Sequence, residues 1–262
     1  MSTSPWVISS GDDPLLATAI HAGHDMRPEA AALTALADDQ RLREEDPFTD
    51  RWVTAAANSI VVAPSRFEVD LNRPRDKAVY REPADAWGLD LWTSPPSDEF
   101  VDRSLAVYDQ FYAELGELCD RLVETHGTFV VLDLHSYNHR RLGPDKAVDD
   151  PELNPEINLG TDTVAPQLRH LVDVFANAVA THPFDNGHLD VRENVKFKGG
   201  QMTRWINGRY GARGCSIAVE VKKFYMDEWS GELDESITLD VGAVLGSAAE
   251  AVRSALRETA SL

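Results

Sequence analysis

Cysteine is scarce in this chain: Cys119 and Cys215 are the only two in 262 residues. Two are too few for a disulfide framework and lack the spacing of a thiolate metal site. They read as buried thiols of a reducing compartment. Long apolar runs are also missing, and none approaches the roughly 20 residues that a membrane helix needs. The N-terminal Met1-Ser-Thr-Ser-Pro-Trp6 shows no basic stretch followed by an apolar core, so no signal peptide is expected and the expected location is cytoplasmic. Positive charge is outnumbered, with 25 Lys and Arg against 44 Asp and Glu, a net charge of −19. Such a surface repels phosphate backbones and anionic lipid, so neither nucleic acid nor membrane is an expected partner. Internal repeats and low-complexity segments are absent as well.

What remains is ordinary globular composition, 43% hydrophobic and 26% charged, long enough for one large domain over residues 1–262. Trp6-Val-Ile-Ser-Ser and Leu15–Ile20 predict two short strands joined by a turn with Gly11 and Pro14. Residues 29–57 have helical composition, broken near Pro47. Ser59–Ala63 predicts a strand, followed by a polar loop to Pro74. Residues 75–97, with Pro83, Gly88, Pro95 and Pro96 around Trp87 and Trp92, predict a long ordered loop, of the kind that is usually functional or mobile. Ser97, two acids in the first turn and Gly127 bracket a strong helix over 98–126. Thr128–Tyr137 is then a β-branched apolar run that predicts a buried strand. Residues 141–163 predict another loop, 164–181 an amphipathic helix, and 186–214 a Gly-rich basic stretch. Cys215–Val221 predicts a last buried strand, and 240–259 the closing helix. This alternation predicts a single α/β domain with a mixed, mostly parallel sheet flanked by helices.

Chemistry gathers at the strand ends, where open α/β sheets bind ligands. His21 follows one strand and His135 closes another. Two imidazoles and one carboxylate, with a fourth position for water, is the donor set of a catalytic zinc. His24 is a weaker candidate, since Gly23 marks a turn between the two histidines. Glu220 interrupts an apolar strand, and an unpaired buried carboxylate is costly. It is either ion-paired, to Lys222, Lys223 or an arginine, or a general base. Arg66, Asn72 and Arg73 sit in a loop after a strand, where an amide and guanidinium groups suit a substrate carboxylate.

Several segments in order then bear a likeness to one family: His21-Ala-Gly, Asp46-Pro-Phe-Thr-Asp50, Ser65-Arg-Phe-Glu-Val-Asp-Leu-Asn-Arg-Pro74, Asp133-Leu-His-Ser136, Asn158-Leu-Gly-Thr161, Lys198-Gly-Gly-Gln-Met-Thr203, and Val219-Glu-Val with Tyr225-Met-Asp-Glu228. The chain resembles the N-formylglutamate amidohydrolases, relatives of zinc carboxypeptidases and aspartoacylase-type deacylases. That resemblance implies a Zn2+ held by His21, His135 and an acid, Asp46 first and His24, Glu45 or Asp50 as alternatives. The carboxypeptidases keep a glutamate three residues after the first histidine, where this chain has His24. The resemblance further implies Glu220 as the base and Arg66 as the cation beside the oxyanion. Asn72, Arg73, Ser136, Gly199 and Gly200 would line the substrate site. The implied reaction is hydrolysis of an N-acyl amino acid, N-formylglutamate being the model. Alternatives are carboxypeptidase-like cleavage of a short peptide or conjugate, and a catalytically silent ligand-binding domain.

Overall fold

Residues 4–185 and 187–260 are described by the structure, a computed structural model. Among them, seven strands form one sheet: β1 (Trp6–Ser9), β2 (Leu15–Ala19), β3 (Asn58–Val62), β4 (Phe129–Tyr137), β5 (Ile157–Gly160), β6 (Val191–Glu193) and β7 (Gly214–Lys222). Their order is β1-β3-β2-β4-β7-β5-β6. β2 pairs in parallel with β3 and β4, β4 with β7, and β5 with β6. β1 runs antiparallel to β3 and β5 antiparallel to β7. The sheet is therefore mixed and mostly parallel, as expected. One local expectation needs refining: β1 and β2 are consecutive in sequence but not neighbours, because β3 lies between them.

The helices are α1 (Pro28–Leu33), α2 (Asp38–Glu44), α3 (Asp98–His126), α4 (Arg169–Thr181), α5 (Gln201–Tyr210) and α6 (Glu235–Ala260). α3 has the ends its sequence predicts: the Phe100 N–H donates to Ser97 Oγ at 3.2 Å, and Gly127 leaves the helix at φ 75°. Its apolar side packs Phe111, Leu115 and Leu118, with Met202 and Ile206 of α5, on one face of the sheet. That face carries Leu16 of β2 and Phe129 and Val131 of β4. The alternate residues, Leu15 and Ala17 of β2, Val130, Leu132 and Leu134 of β4, and Ile217 and Val219 of β7, pack on the other face against α4 and α6. Burial on both faces makes β4 and β7 nearly continuous apolar runs. Each fully buried large apolar side chain contributes roughly 1.5–3 kcal/mol.

Three segments differ from the sequence-based expectation. The 141–163 loop contains β5, whose four residues are too few to show a period. The Gly-rich 186–214 stretch contains β6 and the whole of α5. α5 is rich in poor helix formers and starts at Gly200, so its start is fixed from outside: the Met202 N–H donates to Asn72 Oδ1 at 3.1 Å. The 29–57 region breaks twice, giving α1, α2 and then a 3-10 helix over Thr49–Ala55. Smaller shifts occur at α6, which starts at Glu235, and at α4, which follows a 3-10 turn over Pro166–Leu168. The 75–97 segment holds short 3-10 turns only, and both cysteines are buried and unpaired.

Gly23, just beyond β2, lies against the end of β3, where a Cβ would stand 2.1 Å from the Ala63 carbonyl oxygen. That oxygen belongs to backbone and accepts from the Asp25 N–H, so it cannot swing away. Gly23→Ala should lower Tm by roughly 5 °C, in line with ordinary overpacking costs of about 1–3 kcal/mol. An unchanged calorimetric Tm would show that this junction is looser than its geometry implies.

Candidate active site

Parallel pairing of β4 with β7 puts His135 directly beside Glu220. Residues in register on adjacent strands point to the same face, and Asp133, two before His135, shares it. All three are buried. Thr18 of β2, in register with Asp133, donates its hydroxyl to Asp133 Oδ1 at 3.1 Å, and Thr203 of α5 donates to Oδ2 at 3.2 Å. A polar row thus crosses the central strands at their carboxyl ends.

His21, two residues beyond β2, joins this row. Its ring centroid lies 4.9 Å from that of His135. Asp46 enters from the turn after α2, its N–H donating to the His21 carbonyl at 3.0 Å. One oxygen, Asp46 Oδ2, lies 3.4 Å from His21 Nδ1 and 2.9 Å from His135 Nδ1. A ligand atom from each of the three lies within 4.8 Å of the others. The alternatives are engaged elsewhere or face solvent. His24 Nδ1 is 2.5 Å from Glu45 Oε2, and Glu45 also accepts from the Ser65 hydroxyl. Asp50 is exposed.

Both histidines are backed by carboxylates on their far nitrogens. His21 Nε2 is 2.8 Å from Asp70 Oδ1, and His135 Nε2 is 3.0 Å from Asp133 Oδ1. An ionised carboxylate only accepts, so each Nε2 carries a proton and each Nδ1 is the nitrogen left for a metal. Asp70 also accepts from Arg66 Nη2 at 2.8 Å, from the Tyr80 hydroxyl and from the Asn72 N–H. Sequence reasoning gave Asp70 and Asp133 no role. The Asp-x-His spacing on a strand did carry a signal for Asp133; Asp70, in a charged loop, had none.

The electrostatics follow from this packing. Burial opposes ionisation of Asp46, but hydrogen bonds to His135 and His21 outweigh it and hold the carboxyl well below its usual range. For Asp70 burial is overcome chiefly by the Arg66 charge and by His21. His135 is raised despite its burial, mainly by the Asp133 carboxylate. Glu220 goes the other way: burial pushes its carboxyl up to about 7. Among the described residues it forms no ion pair: Lys222 Nζ donates to the Asn154 carbonyl and Lys223 Nζ to the carbonyls of Arg43 and Glu45. Four buried carboxylates around two imidazoles and one guanidinium leave an excess of negative charge. The donor set His21 Nδ1, His135 Nδ1 and Asp46 Oδ2 therefore fits a divalent cation in chemistry and in charge.

These groups open on a cavity of about 200 Å3, lined by Glu220, Arg66, Asn72, Ser136, Gly199 and Gly200 among others. Asn72 is partly engaged: its Oδ1 accepts from the Met202 N–H of α5 at 3.1 Å. A Cβ on Gly200 would fall 2.2 Å from Asn72 Oδ1, and Gly199 sits at φ +103°, so this wall needs both glycines. Arg73 does not line the cavity. Its Nε lies 3.5 Å from Asp70 Oδ2 and its guanidinium packs on Tyr80 and Trp87. Arg66 occupies the cavity side instead, its Nε buried without a hydrogen bond and its Cζ 5.0 Å from the centroid of the Trp87 ring. Trp87 thus gives part of the long 75–97 loop a place in the site.

The arrangement is a buried cluster of two imidazoles and several carboxylates that fits a divalent cation at the carboxyl edge of a mixed sheet. The family model of N-formylglutamate amidohydrolase matches residues 13–226, and the chain belongs to that family. The crystal structure of N-formylglutamate amidohydrolase from Ralstonia eutropha JMP134 superposes with a TM-score of 0.75 at 18% identity, covering 97% of this chain and 100% of that one. A gene product from Agrobacterium tumefaciens gives 0.61 at 15% identity, covering 95% and 96%. At these identities the likeness concerns the fold. A metallo-carboxypeptidase from Burkholderia cenocepacia superposes with a TM-score of only 0.34 at 18% identity, covering 94% of this chain and 56% of that one. No curated protein sequence matches significantly.

Because Asp70 and Asp133 orient the two imidazoles, Asp70→Asn and Asp133→Asn should each weaken divalent-metal binding by roughly 10–100-fold. Competition with a chromogenic chelator reads this directly. Unchanged affinity in both variants would remove the backing carboxylates from the site.

Proposed function

We propose that this protein is a zinc-dependent amidohydrolase that cleaves the amide of an N-acyl amino acid, an N-formyl amino acid such as N-formylglutamate, to the free acid and the amino acid. The observation that carries this reading is Glu220, a buried carboxylate free of ion pairs among the described residues, in register with His135 of the His21–Asp46–His135 cluster. Family membership supplies the reaction class.

His21, His135 and Asp46 would hold the zinc ion, which when bound would supply Lewis acidity toward the scissile carbonyl and acidify a water. Glu220 takes the proton of the attacking water and delivers it to the departing amine nitrogen. A carboxyl poised at about 7 can do both, since neither protonation state is far out of reach. Arg66 serves the carbonyl oxygen as charge develops there, and the α-carboxylate next to it. Asn72, Gly199 and Gly200 form the wall against which the acyl amino acid lies, with Ser136 nearby. Arg73 acts through Asp70 and Trp87, holding Arg66 in place. A cavity of about 200 Å3 is small beside the ~300–1,000 Å3 of most ligand sites. That size favours a single acyl amino acid over a peptide.

Glu220→Gln should keep the metal and lower kcat by about 10²–10⁴-fold on N-formylglutamate; near-normal turnover would eliminate Glu220 as the base. The same change has a stability consequence of opposite sign. A carboxyl whose folded pKa is raised costs stability once pH exceeds its unfolded value, so metal-free Glu220→Gln should melt higher than wild type at pH 8 and no higher at pH 4.

For wild type, kcat/KM should fall with unit slope as pH drops, with an apparent pKa between about 4.5 and about 7, lower when a bound cation favours the carboxylate. A rate that rises toward acid would contradict this assignment.

A further inference from the structure

Asp46 stands on a stretch of chain that no regular structure holds. α2 ends at Glu44 and the next 3-10 helix begins at Thr49. Between them Pro47 has no N–H to donate, and Phe48 turns the chain through the left-handed region at φ 68°. A carboxylate on such a connector keeps its place only if other chain fixes the backbone on either side of it.

The segment that carries Glu220 does this. Just beyond β7, Lys223 Nζ donates to the carbonyls of Arg43 and Glu45 at 2.6 and 2.7 Å. Two residues on, the Tyr225 hydroxyl donates to the Pro47 carbonyl at 2.8 Å. The carbonyls of both neighbours of Asp46 are thus gripped from one segment. Both donors are buried, and both are themselves fixed. The Lys223 N–H donates to the Tyr137 carbonyl of β4 at 3.0 Å, and the Tyr225 ring packs edge-on against Trp52 with centroids 4.9 Å apart. Among the described residues no carboxylate lies within ion-pair distance of the Lys223 ammonium. A buried ammonium without a paired acid is costly. This one is directed instead at the C-terminal carbonyls of α2, where the helix dipole favours a cation.

Resting on the reading of His21, Asp46 and His135 as metal ligands, we infer that Lys223 and Tyr225 are positioning residues for Asp46. They preset its carboxylate for the cation and hold it in one frame with Glu220, three residues before Lys223. Without them the connector would be ordered only as the cation binds, and that cost would appear as weaker binding.

The test measures zinc affinity by chelator competition in wild type, Lys223→Met, Tyr225→Phe and Asp46→Ala, and in Asp46→Ala combined with each of the other two. Lys223→Met and Tyr225→Phe should each weaken zinc binding by roughly tenfold. In the Asp46→Ala background neither should cost anything further, because the arm they steady no longer carries a ligand. Tyr225→Phe removes one hydroxyl from a ring that stays packed on Trp52, so it decides the matter if Lys223→Met does not fold. Wild-type affinity in Tyr225→Phe, even with a lowered Tm, would overturn the inference while leaving the ligand assignment intact. So would a loss as large in the Asp46→Ala background as in wild type. Undiminished zinc affinity in Asp46→Ala would overturn both.

Discussion

The register between β4 and β7 is the constraint on which the site depends. It sets His135 beside Glu220 and, through Asp133 and Thr18, ties both to β2 and the His21 turn. A slip of one residue would turn His135 and Glu220 into the apolar layer under α4 and α6 and bring Leu134 and Val219 into the cavity. The register is protected because both faces of these strands are buried, so any slip would put the wrong set of side chains into two cores at once. Here the core does more than hold the chain together: it aims the polar groups.

Those polar groups are held against a steep electrostatic gradient. Asp46, Asp70, Asp133 and Glu220 are all buried within one neighbourhood. Three of them are compensated by imidazole, guanidinium or hydroxyl donors, and removing one partner of a buried pair of this kind typically costs about 3–5 kcal/mol. Among the described residues Glu220 has no side-chain donor, and burial raises its pKa. The fold thereby raises one carboxyl and holds those of Asp46 and Asp70 below their usual range, by giving them different neighbours. Asp70 joins the two halves of the arrangement, since one of its oxygens orients His21 and the other fixes Arg66.

Much of this was legible in the sequence, for identifiable reasons. Strands β2, β3, β4 and β7 and helix α3 announced themselves through apolar runs and through the Ser97 and Gly127 ends. His21, His135 and Glu220 stood out because each is a polar residue in or just after an apolar strand. What escaped was whatever depends on distant chain. α5 is started by Asn72, about 130 residues earlier, and its own sequence shows no cap. Asp70 gains its meaning only when His21 and Tyr80 fold around it. Arg73 looked the equal of Asn72 in sequence, yet the geometry turns it onto Tyr80 and Trp87 and leaves the cavity side to Arg66. Asp46 could not be separated from its neighbours by spacing, whereas burial and the engagement of Glu45 by His24 and Ser65 separate them at once.

The central claim is that His21, His135 and Asp46 together hold one catalytic zinc. X-ray absorption at the zinc edge of the purified, zinc-loaded protein tests it most directly. The account predicts about one zinc per chain, with two imidazole nitrogens at about 2.0–2.1 Å and carboxylate or water oxygen at about 2.0–2.2 Å, and loss of an imidazole contribution in His135→Ala. A spectrum with sulfur in the first shell, or one that His135→Ala leaves unchanged, would contradict it.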